Sequence, residues 1–426
     1  MLYLPPHMQK RALSPISPPD LTLQLPGSKS LTNRALVCAA LADGVSRLSG
    51  WSDGEDTQAM LEGLGRLGVE IEESRGDLLV HGVGGHFAIP LHPIDCRASG
   101  TTMRFLTACS GLVPGRVVLD GTSRMRERPI QELADALEAL GVTVRTVAGC
   151  PPVTVQGGSL SGGRISIDAS RSSQFLSALL MVSPFAREPV ELSAGIITSR
   201  PYVEMTIETM IAFGAAVDVE SQSHFKVGTG QRYRARKYAV EPDATGATYF
   251  FAAAAITGGR IRVDGLTPAS TQGDVRFVEV LERMGCSVER TPHWISVRGS
   301  RYLHGIDIDL NAMPDAALTL AVVACFAQGP TIIRNVANLR FKETDRIIAL
   351  KTELEKLGAT VTLSDTDIKI DPPAKVEPAR ITTYDDHRMA MSFAVAGLRV
   401  PGIVIENPDC VAKTFPSFWE RLESLG

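Results

Sequence analysis

The chain has 426 residues, enough for two or three domains with substantial cores. Its 43 Lys and Arg against 47 Asp and Glu give a net charge of −4. That balance argues against a sequence-blind nucleic-acid or membrane-surface binder, and no apolar run reaches the ~20 residues of a membrane span. Seven scattered cysteines without a CxxC pair, and eight histidines without HExxH-type spacing, argue against a disulfide framework, a structural zinc site or a metalloenzyme. They point to a reducing cytoplasm.

In chain order, residues 1–20 (MLYLPPHMQKRALSPISPPD) carry five prolines and no apolar core. They read as an extended arm, not a secretory signal. LTLQL (21–25) alternates like a strand. From there two helical signatures take turns. Apolar, Ala-rich helices open at SKSLTNRALVCAALADG, SGTTMRFLTACSGL, SSQFLSALLMVS, DATGATYFFAAAAITGG, PDAALTLAVVACFAQG and DDHRMAMSFAVAGL. Each has Ser, Thr or Asp at or near the N-cap, and all are too apolar all round to lie on a surface. Between them come amphipathic helices ending in Gly: MLEGLGRLGVEI, ALEALGVTV, MIAFGAAVDV, VLERMGCSV, ELEKLGATV and RLESLG. The closing glycines are Gly68, Gly141, Gly214, Gly285, Gly358 and Gly426, spaced 73, 73, 71, 73 and 68 apart. A glycine there accepts the left-handed conformation that ends a helix, and short β-branched stretches after the first five read as strands.

Twelve signatures in fixed phase make six repeats of about 71 residues, each of βαβαββ order with one buried and one amphipathic helix. The expected fold is α/β: two similar lobes of three repeats around buried parallel helices, an inverse α/β barrel. The expected lobes are 27–236, and 1–26 plus 237–426, with a crossing in QRYRARKYAVEPD (231–243). The sixth copy lacks a final strand, and LTLQL is the proposed donor.

Helix N-termini bind anions through free N–H groups and the helix dipole. Here the buried helices open beside Lys29, Ser30 and Arg34, beside Arg104, beside Ser172, Ser173 and Gln174, and beside His387 and Arg388. If the lobes face each other, these starts gather around a small polyanion. GTSRMRERPI (121–130), with Arg128, and NLRFKETDR (338–346) concentrate charge before helices, and Lys413 adds another cation. Taken singly, most of these cations read as solvated surface charges. Asp315, Glu343 and His387 are acid–base candidates. Asp315 reads equally as the N-cap of PDAALTLAV, Glu343 also as an ion-pair member, and His387 best as a satisfied helix-start histidine. No GxSxG, Walker A or GxGxxG loop supports a hydrolase, NTPase or Rossmann reading.

PGSKSLTNRAL, SGTTMR, RMRERPI, SSQFLSALLM, SRPY, NLRFKETDRI, YDDHRMAMSFA and AKTFPSFWERL, in this order, resemble the 5-enolpyruvylshikimate-3-phosphate synthase family (3-phosphoshikimate 1-carboxyvinyltransferases) from about residue 22 onward. The resemblance implies a two-lobed fold and a transferase of aromatic amino acid biosynthesis. Phosphoenolpyruvate and shikimate 3-phosphate give 5-enolpyruvylshikimate 3-phosphate and phosphate through a tetrahedral ketal, with no metal or organic cofactor. It further implies that Ser30, Arg34, Ser172, Ser173, Ser199, Tyr202, Asp315, Asn338 and Lys342 meet shikimate 3-phosphate, and that Lys29 is catalytic and shared by both substrates. Gly100, Arg128, Gln174 and Lys413 would meet the phosphoenolpyruvate phosphate, and Arg346 and Arg388 its carboxylate. Asp315 would be the base and Glu343 the proton donor. A cytoplasmic monomer without nucleic-acid or membrane partners is expected. Departures from the family are Arg97 and Ala98 for the usual Gly-Asn, Phe105 for Pro or Leu, and Gly246 for Ser. The nearest rival is the sister enzyme acting on UDP-N-acetylglucosamine, whose usual loop Cys is missing from GTSRMRERPI. A non-catalytic anion-binding scaffold is the other, and the presence of Lys29, Asp315 and Glu343 speaks against it.

Overall fold

Helix formation follows the two alternating signatures. In the computed structural model, which describes residues 9–426, the helices are α1 (Lys29–Leu41), α2 (Glu55–Arg66), α3 (Gly100–Ser110), α4 (Gln131–Ala139), α5 (Gln174–Val182), α6 (Pro201–Ala212), α7 (Ala244–Thr257), α8 (Phe277–Arg283), α9 (Ala317–Ala324), α10 (Arg346–Lys356), α11 (His387–Gly397) and α12 (Phe418–Glu423). Residues 1–8 of the expected arm lie outside the described residues. The odd-numbered helices are the apolar ones, and α3, α9 and α11 are buried along their whole length. Gly68, Gly141, Gly214, Gly285 and Gly358 have φ between 86° and 112°, the left-handed backbone expected just past a helix end.

The chain divides into two units, one of Pro26–Glu241 and one of Pro242–Gly426 with the segment that ends at Leu25. Each has its own apolar core. In the first, α3 touches both α1 and α5; in the second, α7, α9 and α11 touch one another.

Five of the six repeat sheets share one pattern: a first strand runs parallel to the second, the second antiparallel to the fourth, and the fourth antiparallel to the third. The second repeat shows it within itself: 94–95 beside 116–120, then 150–156, then 143–147. A parallel pair needs a long crossover, and the buried helix supplies it.

Strands borrowed from elsewhere in the chain complete the remaining repeats. The first repeat takes its first strand from Lys237–Ala239, which pairs parallel with Asp43–Ser49. This strand belongs to the first unit, so the crossing between Glu241 and Pro242 lies within the expected stretch 231–243, and the lobe runs past its expected end at 236. The expectation that LTLQL completes the sixth repeat is corrected. Asp20–Leu23 instead pairs parallel with Arg260–Asp264 of the fourth repeat, and Lys10–Ala12 pairs antiparallel with Val404–Glu406 in the sixth. Opposite charges fix both registers: Asp20 faces Arg260, with Arg260 Nε donating to Asp20 Oδ1 at 2.8 Å, and Lys10 faces Glu406 at 3.4 Å. Cross-strand pairs of this kind stabilise one register over its neighbours.

All seven cysteines are free thiols. Among the described residues, no helix is long and apolar enough to cross a membrane.

Candidate active site

In the unit Pro26–Glu241 the start of α1 carries the first cations. Ser28 caps the helix, its hydroxyl accepting from the Leu31 N–H at 3.5 Å. Lys29 then sits at the positive end of the helix dipole, an unfavourable place for a cation. Asp56 of α2, 3% exposed, offsets it: Lys29 Nζ lies 3.1 Å from Asp56 Oδ2. The Asp56 carbonyl oxygen accepts the hydroxyls of Ser99 and Thr102 at 3.4 and 3.2 Å, which ties this pair to the start of α3.

Gly100 opens α3 against two guanidinium groups. A Cβ there would lie 2.8 Å from Arg128 Nη2 and 2.9 Å from Arg104 Nη1. Arg104 is held in place, donating to the carbonyl oxygens of Gly100 (3.3 Å) and Pro129 (2.8 Å). The approach of two buried arginines to a helix N-terminus is possible because position 100 has no side chain.

Arg34, one turn into α1, is fully buried. Its Nε donates to the Thr206 hydroxyl at 2.7 Å, Nη1 to the Ser30 carbonyl at 2.8 Å, and Nη2 to the Tyr202 carbonyl at 2.9 Å and the Ser177 hydroxyl at 3.4 Å. Burial pulls its pKa down to about 10. Nearby, the Ser172 hydroxyl accepts from the Gln174 N–H at 3.2 Å where α5 begins. Ser173 and Ser199 are buried, and Ser199 adopts a left-handed backbone (φ 54°) just before α6.

The other unit holds a denser network. Asp315 lies inside a short 3₁₀ turn, Pro314–Ala316, and neither that turn nor α9 is capped by a side chain. The N-cap reading of Asp315 is therefore wrong. Its carboxylate faces cations instead: Arg346 Nη1 at 2.9 Å, Arg388 Nη2 at 3.0 Å and Lys342 Nζ at 3.8 Å. Burial raises the Asp315 pKa, but Arg388, Lys342 and Arg346 outweigh it and hold the group well below the usual carboxylate range.

Arg346, the first residue of α10, is 1% exposed and also bonds Glu343 Oε2 at 2.8 Å. Asp386 grips it with both oxygens, 2.7 Å from Nε and 3.1 Å from Nη2. Burial opposes the Arg346 charge, yet Asp386, Glu343 and Asp315 raise its pKa above the ordinary arginine value. Asp386 also caps α11, accepting from the Arg388 N–H at 2.9 Å, and Arg388 Nη1 donates to the Tyr249 hydroxyl at 3.2 Å. Lys413 Nζ lies 4.0 Å from Glu343 Oε1. Lys342, Arg346, Arg388 and Lys413 thus meet the carboxylates of Asp315, Glu343 and Asp386 in one network.

The sequence-derived candidates fall into two groups. Lys29, Ser30, Arg34, Gly100, Arg128, Ser172, Ser173, Gln174, Ser199 and Tyr202 lie in the unit Pro26–Glu241, before or within the first turns of α1, α3, α4, α5 and α6. Asp315, Asn338, Lys342, Glu343, Arg346, Arg388 and Lys413 lie in the other unit, where all but Asn338 share the ion network. His387 does not fit its expected role as a satisfied helix-start histidine. It is 1% exposed, and neither ring nitrogen has a hydrogen-bond partner among the described residues. Burial, then the nearby Arg388 charge, depresses its pKa well below the usual value, so it is neutral. Asp56 escaped the sequence reading, and Asp386 entered it only as part of a helix start, not as the partner of a cation. The signal for Asp386 was present: an acid directly before His387 and Arg388 at a helix start can cap the helix and pair a cation at once.

Repeats that aim cations at helix starts, where the dipole alone would repel them, define an α/β enzyme for small polyanionic substrates. The model of the EPSP synthase family (3-phosphoshikimate 1-carboxyvinyltransferase) matches residues 14–422, and the chain belongs to that family. A 3-phosphoshikimate 1-carboxyvinyltransferase of Nostoc punctiforme is 45% identical over 409 residues, covering 95% of this chain and 96% of that one. A chloroplastic 3-phosphoshikimate 1-carboxyvinyltransferase of Brassica napus is 45% identical over 435 residues, covering 97% and 84%. The solved EPSP synthase of Acinetobacter baumannii superposes with a TM-score of 0.83 at 29% identity, covering 98% of each chain.

Proposed function

We propose that this chain transfers the enolpyruvyl group of phosphoenolpyruvate to the 5-hydroxyl of shikimate 3-phosphate and releases phosphate. The observation that carries the reading is the family match across residues 14–422, joined to an ion network in which Asp315 and Glu343 both pair with Arg346. In this reading Asp315 takes the proton of the 5-hydroxyl while its oxygen attacks C2 of phosphoenolpyruvate, and Glu343 protonates the methylene carbon. A tetrahedral ketal results. In the elimination the Glu343 carboxylate takes back a methyl proton as the C–O bond to phosphate breaks, and phosphate leaves with the proton held on Asp315, which restores the double bond and both acids. A base and an acid are needed together, since one proton leaves as another arrives.

Arg346 and Arg388 suit the phosphoenolpyruvate carboxylate, because planar guanidinium groups bind carboxylates with two bonds. Arg128, Lys413, Gln174 and the open N-terminus of α3 at Gly100 suit its phosphate. Ser30, Arg34, Ser172, Ser173, Ser199 and Tyr202 of one unit, and Asn338 and Lys342 of the other, suit shikimate 3-phosphate, and Lys29 suits both substrates. The same cations stabilise the charge of the ketal. The free thiols favour a reducing compartment, and we place the chain in the cytoplasm as a monomer.

The test is phosphate release from phosphoenolpyruvate with shikimate 3-phosphate as acceptor, set against UDP-N-acetylglucosamine. Turnover with the first alone is expected. No turnover with it, or turnover only with the second, overturns the reading.

A further inference from the structure

Phe105 sets its ring against the guanidinium of Arg34. The residue lies in α3 with its side chain fully buried. Its ring centroid is 5.3 Å from Arg34 Cζ, and the Tyr202 ring centroid is 5.9 Å from the same atom. The hydrogen-bond partners of Arg34 are two hydroxyls and two carbonyls, all uncharged, and among the described residues no carboxylate pairs with it. A buried cation without a counter-ion is costly. An aromatic face is one of the few uncharged groups that attracts it, and does so more strongly where water is excluded. An aliphatic side chain has no such face.

We propose that Phe105 is a positioning residue that sets the affinity for the acidic substrate met by Arg34. Its ring stands in for a counter-ion and keeps the guanidinium in place until the carboxylate or phosphate of the substrate arrives. The inference rests on the reading above, in which Arg34 meets shikimate 3-phosphate.

The test uses the full chain and the variants Phe105→Leu, Phe105→Met and Phe105→Tyr. Titration calorimetry measures shikimate 3-phosphate binding, steady-state kinetics gives KM for both substrates, and thermal unfolding monitors the fold. Phe105→Met nearly conserves volume and keeps the question open to measurement should Phe105→Leu fail to fold. Both ring-less variants are expected to bind shikimate 3-phosphate about 5- to 20-fold more weakly, in line with a desolvated cation–π contact. KM for phosphoenolpyruvate and kcat should stay within twofold, and Phe105→Tyr, which keeps a ring, should bind like the wild type. Wild-type affinity in Phe105→Met overturns the proposal. So does a rise in both KM values together, which marks a general packing defect. A wild-type chain that binds no shikimate 3-phosphate removes the parent reading and this one with it, whereas the first two outcomes remove this one alone.

Discussion

Replacing Gly100 by alanine disturbs the start of α3 by an amount that the distances set. The new Cβ would lie 2.8 Å from Arg128 Nη2, 2.9 Å from Arg104 Nη1 and 3.1 Å from Arg128 Cζ. A non-bonded carbon needs about 3.5 Å, so the Arg128 terminus must retreat by roughly 0.7 Å. Arg104 cannot yield in its place, because the Gly100 and Pro129 carbonyls hold it at 2% exposure. Hydrogen bonds to charged groups contribute about 1.5–3 kcal/mol, and a displacement of this size removes most of one. KM for phosphoenolpyruvate should therefore rise about 10- to 30-fold, while KM for shikimate 3-phosphate stays within about threefold because neither Arg104 nor Arg128 is among the residues proposed for it. Phosphate-release kinetics with each substrate varied in turn gives both values. A phosphoenolpyruvate KM within twofold of wild type would refute the reasoning, since Arg128 would then have moved without consequence.

Other outcomes follow from the same geometry. Asp315→Asn and Glu343→Gln should each lower kcat at least about 100-fold, with calorimetry showing phosphoenolpyruvate still bound; equal loss of binding and turnover would make these residues structural. Because the folded pKa of Asp315 is depressed, the stability it adds is full above the unfolded value of about 3.9 and is lost as pH falls through the folded value. Wild type and Asp315→Asn should thus converge in stability towards acid pH, as denaturant titrations at pH 7 and pH 3 would record. Arg97 holds a left-handed backbone, φ 50°, so Arg97→Gly should stabilise the chain by up to about 1 kcal/mol, read as a higher denaturant midpoint. At Gly246 a Cβ meets only ordinary contacts of 3.5–3.7 Å, so Gly246→Ala within α7 should stabilise it by about 0.5–1 kcal/mol and raise Tm.

The repeats were legible because each carries its own local signals, a capped apolar helix and a helix stopped by glycine. Strand donation was less so. LTLQL alternates as a strand should, and its first three residues do form one with Asp20, but nothing local distinguishes Arg260–Asp264 from Val404–Glu406 as its partner. KRA, three residues long and without alternation, gives no strand signal, yet it completes the sixth sheet. At the site, cations announced themselves through clustering and helix starts. Their buried partners did not: Asp56 sits in SDGED, which reads as a solvated acidic turn, and only packing makes its carboxylate the mate of Lys29. The choice for Asp315 between capping a helix and facing cations turned on the one-residue offset of a 3₁₀ turn, a difference below the resolution of sequence pattern.

The borrowed strands also set an order of events during synthesis. The unit Pro26–Glu241 has every strand it needs once Lys237–Ala239 has been made, so it can close while the rest of the chain is still to come. Lys10–Ala12 must wait for Val404–Glu406, an interval of roughly 20–80 s at ribosomal rates of 5–20 residues per second. Through that time an unpaired edge is open to wrong partners. Lys10 and Arg11 in the strand, and Pro15, Pro18 and Pro19 close behind it, are the residues that discourage such pairing, so this stretch is built to remain single until its late partner emerges.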